Sequence, residues 1–327
     1  MTEGTILQPH VLETVACPLC GSHRAEEVQH GPDYFLRRPG AFTLVRCRDC
    51  GLIYQNPRPP LEQIGHYYPD EYGSYGSAQQ GLRTRRGLLG ALIRRGMDKR
   101  CRLLNRSVVP LPGRGRRLLD IGCASGLFLE AMQRYADWQV EGVELNATAA
   151  RATSQRLGVP VFVGPFEQAQ YPDGAFDAVT LWDVLEHFHD PLAALREIRR
   201  ILRPGGGIFI RVPNAGSYVR RLGGRYWVGY DMPRHMTVFT RKTLLRVLAE
   251  TGFDWPLRIY TSASYLAALH SLRFALDDGR VQPQRAATVH RMLLHPVVRA
   301  AAWLPFRLAD TIAEGSALEV LALARFA

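Results

Sequence analysis

The chain has 327 residues, 46% hydrophobic and 22% charged, with a formal charge of +11. That is globular composition with room for about two domains, and it excludes a disordered or collagen-like polymer. No apolar run reaches the roughly 18 residues of a membrane span, and the start, MTEGTILQPH, lacks the basic-then-apolar pattern of a leader, so we expect a cytoplasmic protein.

The first chemical signal is a pair of CxxC turns, Cys17-Pro-Leu-Cys20 and Cys47-Arg-Asp-Cys50, each followed by glycine. Two such knuckles can bring four sulfurs around a tetrahedral Zn²⁺. Four sulfurs leave no open position, so the expected ion is structural and residues 1–60 are expected to form a zinc ribbon. The alternatives are disulfides or unrelated thiols; disulfides would go with export. Cys101 and Cys123 read as small apolar fillers. Residues 61–116 follow as a Tyr-rich segment, HYYPDEYGSYGS, then a basic amphipathic helix and a Pro/Gly/Arg linker. In the helix, Leu89, Ile93, Met97, Cys101 and Leu104 recur at helical spacing. Residues 61–117 hold 12 basic against 4 acidic side chains, so most of the net charge sits in this one segment. It reads as a solvated helix face, a platform for an anionic substrate, or a nucleic-acid contact.

From residue 117 to 327 strands and helices alternate. RLLDIG, WQVEGVEL, VPVFVG, FDAVTLWDV and GIFIRVP read as strands. Helices are expected from Leu127 to Tyr135, Ala147 to Leu157 and Pro191 to Leu202, the last capped by Asp190. This alternation implies an α/β, doubly wound parallel sheet. Thr240 caps a further helix, LRIYTS and ALEVLALAR read as the last strands, and residues 263–313 between them form a helical insertion. Its apolar stretches with interspersed Arg and His suit a membrane surface, a substrate lid or a dimer contact.

The first strand of this region runs into Asp120-Ile-Gly122-Cys123-Ala124-Ser125-Gly126 and then directly into a helix. Small residues at 122, 124 and 126 permit close backbone approach to a ligand, and the helix start adds N–H donors. About 20 residues on, Glu144 ends the second strand, where a carboxylate can accept both hydrogens of a ribose diol. The spacing differs from GxGxxG, which weighs against NAD. An adenosine-containing cofactor fits.

LLDIGCASG, GVELN, PDGAFDAVTLWDVLEH and LRPGG resemble, in order and spacing, the motifs of class I S-adenosylmethionine-dependent methyltransferases. The resemblance spans about residues 115–260. DVLEH looks like the ubiquinone-type small-molecule group. The ribbon, with CGLIYQNPRP, looks like methyltransferases of bacterial polysaccharide and natural-product pathways. The resemblance implies a Rossmann-like seven-stranded sheet with its last strand antiparallel. It implies that Asp120, Gly122, Ala124 and Gly126 hold the methionine end of S-adenosylmethionine and that Glu144 binds the ribose. Leu145 and Phe166 would sandwich the adenine with Glu167 at its edge, and Trp182 and Asp183 would close the site. Ala124 replaces a usual glycine, and Pro165-Phe166-Glu167 stands where the family often has an aspartate.

Methyl transfer needs an aligned, desolvated nucleophile, and a base helps a hydroxyl or carbon acid. The base candidates are His187, His189 and His235. Tyr230 and His235, in GYDMPRHMTVFT, resemble a Tyr/His pairing of zinc-carrying sugar C-methyltransferases. Asp183, Glu186 and His187 imitate a metal cluster of some quinone methyltransferases, although such spacing is common without metal. The leading expectation is methyl transfer to an oxygen or carbon of a small-molecule or lipid-linked, anionic acceptor such as a sugar, nucleotide sugar or glycolipid, with peripheral membrane contact as an option. The alternatives are a zinc-ribbon rRNA methyltransferase and a non-catalytic scaffold. Nucleic acid is disfavoured because no aromatics interleave with the basic cluster and no NPPY-type motif follows the fourth strand.

Overall fold

The computed structural model describes residues 12–69, 87–110, 113, 115–253, 258–279, 281–312 and 314–324. The Tyr-rich stretch beyond residue 69 and parts of the PLPGRGRR linker lie outside them, as do the side chains of Leu89 and Ile93.

Two sheets organise the chain. The first is antiparallel and begins with β1 (Ala25–Pro32), β2 (Ala41–Cys47) and β3 (Ile53–Gln55). The second joins β4 (Arg116–Ile121), β5 (Trp138–Glu144), β6 (Val161–Val163), β7 (Phe176–Trp182) and β8 (Leu202–Pro213) in parallel. Helices α1 (Gly87–Ser107), α2 (Leu127–Met132), α3 (Ala147–Leu157) and α4 (Pro191–Ile201) alternate with these strands. Asp190 caps α4 by accepting the Ala193 N–H at 2.9 Å, with Pro191 in the first turn. β9 (Thr237–Val238) follows the short α5 (Tyr218–Gly223). Thr240 and Thr243 form a reciprocal capping box at the start of α6 (Arg241–Glu250). The chain continues through β10 (Arg258–Ser262), the insertion helices α7 (Ser264–Asp277), α8 (Pro283–Leu294) and α9 (Pro296–Ile312), and β11 (Ala317–Leu323).

The second sheet has the order β10-β11-β8-β7-β4-β5-β6. β11 runs antiparallel between β10 and β8, with Val320 opposite Ile210. This is the seven-stranded order with an antiparallel last strand that the sequence resemblance implies. Its central strands are buried on both faces, which explains their unbroken apolar runs. Leu119, Ile121, Val179 and Leu181 pack toward α4 and α6, with Leu195, Ile198, Leu244 and Val247. Leu118, Ala178 and Phe209 pack on the opposite face against Cys101 and Leu104 of α1 and Phe128 and Leu129 of α2. Cys101 is therefore a core filler on the apolar stripe of α1, and three arginines of the basic segment are engaged within the chain. Arg100 stacks 4.3 Å from the Trp182 ring and pairs with Glu319 at 3.0 Å. Arg116 pairs with Asp137 and stacks on Trp138, and Arg117 pairs with Glu141.

The ribbon does not stand apart. β9 completes its sheet in the order β1-β2-β3-β9, pairing Ile53 with Val238 and Tyr54 with Thr237. Phe42, Leu44 and Ile53 share a core with Val219, Trp227 and Met232. β1 and β9 were not legible in the sequence. β9 has only two residues, and β1, AEEVQHGP, is mostly polar because one face is wet.

Candidate active site

The carboxyl ends of β4, β5 and β7 open onto a cavity of about 520 Å³. Six non-glycine residues have positive φ among the described residues, and four of them line this cavity: Ala124 (+44°), Asp183 (+56°), Asp231 (+24°) and Ala263 (+66°). Backbone strain of this kind persists where surrounding structure imposes it, commonly at functional sites.

On one side lie the glycine-rich turn and Glu144. The chain leaves β4 through Gly122 and Ala124, both on the cavity wall. Glu144 is buried, and its carboxylate accepts the N–H groups of Ala124 and Asn146, each at 2.9 Å. Burial raises its proton affinity, and those amides work against the rise. The acid is thus fixed at the end of β5 with lone pairs to spare for a diol. Leu145 beside it is exposed at the rim. Asp120 lies beneath the turn rather than on the cavity wall. It is buried, accepts from Thr180 Oγ1 at 2.6 Å, and burial pushes its carboxyl up to about 7. Gly126 is also below the surface and starts α2 at φ +64°.

Not every residue expected near the adenine reaches the wall. Phe166 is buried with its ring centroid 6.5 Å from that of Phe188, and Glu167 is exposed; only Leu145 of the three lines the cavity. Trp182 and Asp183 both line it. Trp182 is wedged among Phe128, Phe209 and Arg100, so packing accounts for most of its surface. Asp183 accepts from Arg211 Nη1 at 2.7 Å.

The opposite side gathers titratable groups. After β7, a short turn places Glu186 and His187; after α5, a loop places Gly229, Asp231 and His235. His235 Nδ1–H donates to the carbonyl of Gly229 at 2.9 Å, which fixes the tautomer and leaves Nε2 as an acceptor. Nε2 lies 3.8 Å from Asp231 and 4.0 Å from Glu186. The His187 and His235 rings meet edge to face, 4.7 Å apart. Burial drives His187 down to about 3 and also lowers His235, so both rings are neutral at neutral pH. Glu186 is fully buried, neither carboxylate oxygen has a hydrogen-bond partner, and burial with nearby Asp183 raises it well above the usual range. Ligand atoms of Glu186, His187 and His235 lie within 4.8 Å of one another.

Two other candidates have different surroundings. Tyr230 is buried beside Trp227, and its hydroxyl accepts from Arg220 Nε at 3.0 Å; it does not line the cavity. His189 also lies off the cavity, donating Nε2–H to the Pro59 carbonyl at 3.0 Å. Three wall residues carried no sequence signal. Phe35 and Tyr68 come from the N-terminal part, and Tyr68 Oη sits 2.6 Å from His187 Nδ1, 119 residues away. Arg211 arrives from β8. From the insertion, α7 supplies Leu266 and His270 to the cavity lining. Among the described residues no helix is long and apolar enough to cross a membrane.

A second cluster lies in the ribbon. The sulfurs of Cys17, Cys20, Cys47 and Cys50 lie within 4.8 Å of one another, with Cys17–Cys50 and Cys20–Cys47 both at 3.5 Å. That is far beyond a disulfide bond and close to the spacing of thiolates about 2.3 Å from a common metal. In each knuckle the glycine N–H returns to the first cysteine's carbonyl at 2.9 Å, with Gly21 at φ +72° and Gly51 at φ +80°. The donor set fits a tetrahedral thiophilic cation.

A family model described as "Methyltransferase domain" matches residues 93–255. A ubiquinone biosynthesis O-methyltransferase of Chromobacterium violaceum is 33% identical over 181 residues, covering 47% of this chain and 78% of that one. One from Xanthomonas campestris is 33% identical, covering 44% and 67%. Among solved structures, a SAM-dependent methyltransferase from Archaeoglobus fulgidus aligns over 70% of this chain and 94% of that one, at 18% identity and TM-score 0.45.

Proposed function

The chain belongs to the S-adenosylmethionine-dependent methyltransferases, and from that premise we propose that it methylates an oxygen or carbon of a small polar acceptor, with His235 taking the acceptor's proton. The observation that carries this is one cavity lined both by Gly122, Ala124 and Glu144 and by His235, a neutral histidine whose Nδ1–H is committed to the Gly229 carbonyl. When bound, the cofactor supplies an electrophilic sulfonium methyl. Gly122, Ala124 and Glu144 would hold it, Leu145 would cover the adenine, and Asp120 would support the turn from below. Trp182 and Asp183 would separate the cofactor from the acceptor. Phe166 and Glu167, which lie off the cavity wall, would contribute to adenine binding only indirectly.

His235 suits a base because burial keeps it unprotonated at neutral pH while Asp231 stands ready beside the imidazolium it becomes. His187 backs it, and Tyr230 steadies the loop from behind. Asp183, Glu186 and Asp231 leave the deep wall rich in carboxylates, with Arg211 already engaged by Asp183. The hydroxyl-bearing part of a sugar-like acceptor fits there, and any anionic or lipid-linked part belongs at the rim. The curated relatives' names favour oxygen over carbon as the acceptor atom. We further assign a structural Zn²⁺ to Cys17, Cys20, Cys47 and Cys50. Residues 1–60, 61–116 and 117–327 then act as ribbon, connecting segment and catalytic body of one working unit.

The test is incubation of the purified chain with methyl-labelled S-adenosylmethionine and a bacterial extract split into lipid, nucleic-acid and small-molecule fractions. Label should enter the small-molecule or lipid fraction. Label in RNA would overturn the acceptor class and favour the rRNA alternative.

A further inference from the structure

The loop that brings Gly229, Asp231 and His235 to the cavity is anchored in the N-terminal part of the chain. Arg234, next to His235, is 0% exposed. Its guanidinium forks onto Asp33, Nη1 to Oδ2 at 2.8 Å and Nη2 to Oδ1 at 2.7 Å, across 201 residues of sequence. Asp33 is likewise 0% exposed. It sits just after β1, and its Oδ1 also accepts the N–H groups of Phe35 and Leu36. The same guanidinium holds Asp231 at 2.6 Å. The Arg234 carbonyl lies 3.1 Å from His187 Nδ1. Two residues further along, Met236 N–H donates to the Glu186 carbonyl, and Gln55 N–H donates to the Met236 carbonyl. A buried Arg–carboxylate fork is directionally strict, and loss of one partner strands the other charge.

Building on the reading of His235 as the group that meets the acceptor, we propose that Asp33 is a positioning residue for methyl transfer: through Arg234 it holds the 229–238 loop so that His235 Nε2 faces the cavity. The ribbon is thereby part of the active site, and its fold sets the orientation of a side chain about two hundred residues downstream.

The test uses the full chain with zinc and S-adenosylhomocysteine, observed by nitrogen NMR of labelled histidines, with the His235 signal assigned by its disappearance in His235→Gln. In Asp33→Asn the Oδ1 acceptor that serves Phe35 and Leu36 survives, while the charge facing Arg234 is lost. In Arg234→Lys the charge survives and the fork is lost. Both variants should lose the protected Nδ1–H signal of His235 while zinc content and S-adenosylhomocysteine affinity stay at wild-type values. An unchanged His235 signal in both overturns the proposal. Parallel loss of zinc or of S-adenosylhomocysteine binding also overturns it, because the pair would then hold the whole fold rather than the loop. The readout does not depend on turnover, so a failure of the base assignment shows separately, as retained turnover in His235→Ala.

Discussion

The glycine-rich turn invites a paired substitution whose two halves should move in opposite directions. Ala124 is held at φ +44°, a conformation that costs an L-residue roughly 1–2 kcal/mol. Ala124→Gly removes that strain but gives back part of the gain, about 0.5–1 kcal/mol, to the unfolded chain. The expected net is a stabilisation of about 0.5–1 kcal/mol, or a melting temperature higher by roughly 1–3 °C. Gly126 sits at φ +64°, and a Cβ there would stand 2.5 Å from Thr153 Cγ2 and 3.0 Å from Leu157 Cδ1. Thr153 cannot swing away, because it is 0% exposed and its hydroxyl donates to the Ala124 carbonyl at 2.8 Å. Strain of about 1–2 kcal/mol plus overpacking of about 1–3 kcal/mol predicts a loss of roughly 2–5 kcal/mol for Gly126→Ala, a drop of about 5–15 °C. Thermal unfolding with and without S-adenosylhomocysteine measures both, and the ligand's stabilising increment reports whether ligand binding is retained. A destabilised Ala124→Gly, or a Gly126→Ala that melts with the wild type, would refute the reasoning.

His235→Ala should cut turnover by about 10²–10⁴-fold, the usual worth of a positioned base, while S-adenosylhomocysteine still binds by calorimetry; retained turnover would remove His235 from the chemistry. Asp120 has a folded value raised to about 7 against 3.8 for the free side chain. Its stabilising contribution is complete in acid and lost as pH rises from about 4 to about 7, so Asp120→Asn should flatten that decline and exceed the wild type at pH 8 by up to on the order of 4 kcal/mol in urea unfolding. His187 has the opposite sign, with a folded value near 3 against 6.5; stability should fall by about 1.4 kcal/mol per pH unit as pH drops from 6.5 toward 3, and His187→Gln should shallow that slope. Purified protein should carry about one zinc per chain, and Cys47→Ser should lose it together with several kcal/mol of stability; full stability without metal would count against the zinc assignment.

Much of the architecture was written locally. The strand runs RLLDIG, FDAVTLW and GIFIRVP are apolar because the centre of a parallel sheet is dry on both faces, and Asp190-Pro191 and Thr240 mark helix starts through short-range hydrogen bonds. The paired cysteines, the turn at 120–126 and Glu144 were likewise legible, because each depends on spacing along one stretch of backbone. The cavity's other half was not. Phe35, Tyr68 and Arg211 are ordinary residues until folding brings them to the wall beside His187 and His235. Tyr230 and Glu167 carried the right residue types, yet packing turned one toward Arg220 and left the other on the surface.

The sequence by itself determined the sheet, the glycine-rich turn and the cysteine set. Only the tertiary structure decided that β9 would close the ribbon's sheet, that Asp33 would meet Arg234, and that His235 would spend its Nδ1–H on the Gly229 carbonyl beside the cavity. The physical reason is range. Periodicity, caps and knuckles follow from bonds within a few residues, whereas a two-residue strand or a buried ion pair forms only where the packing of distant segments excludes water and brings the partners together.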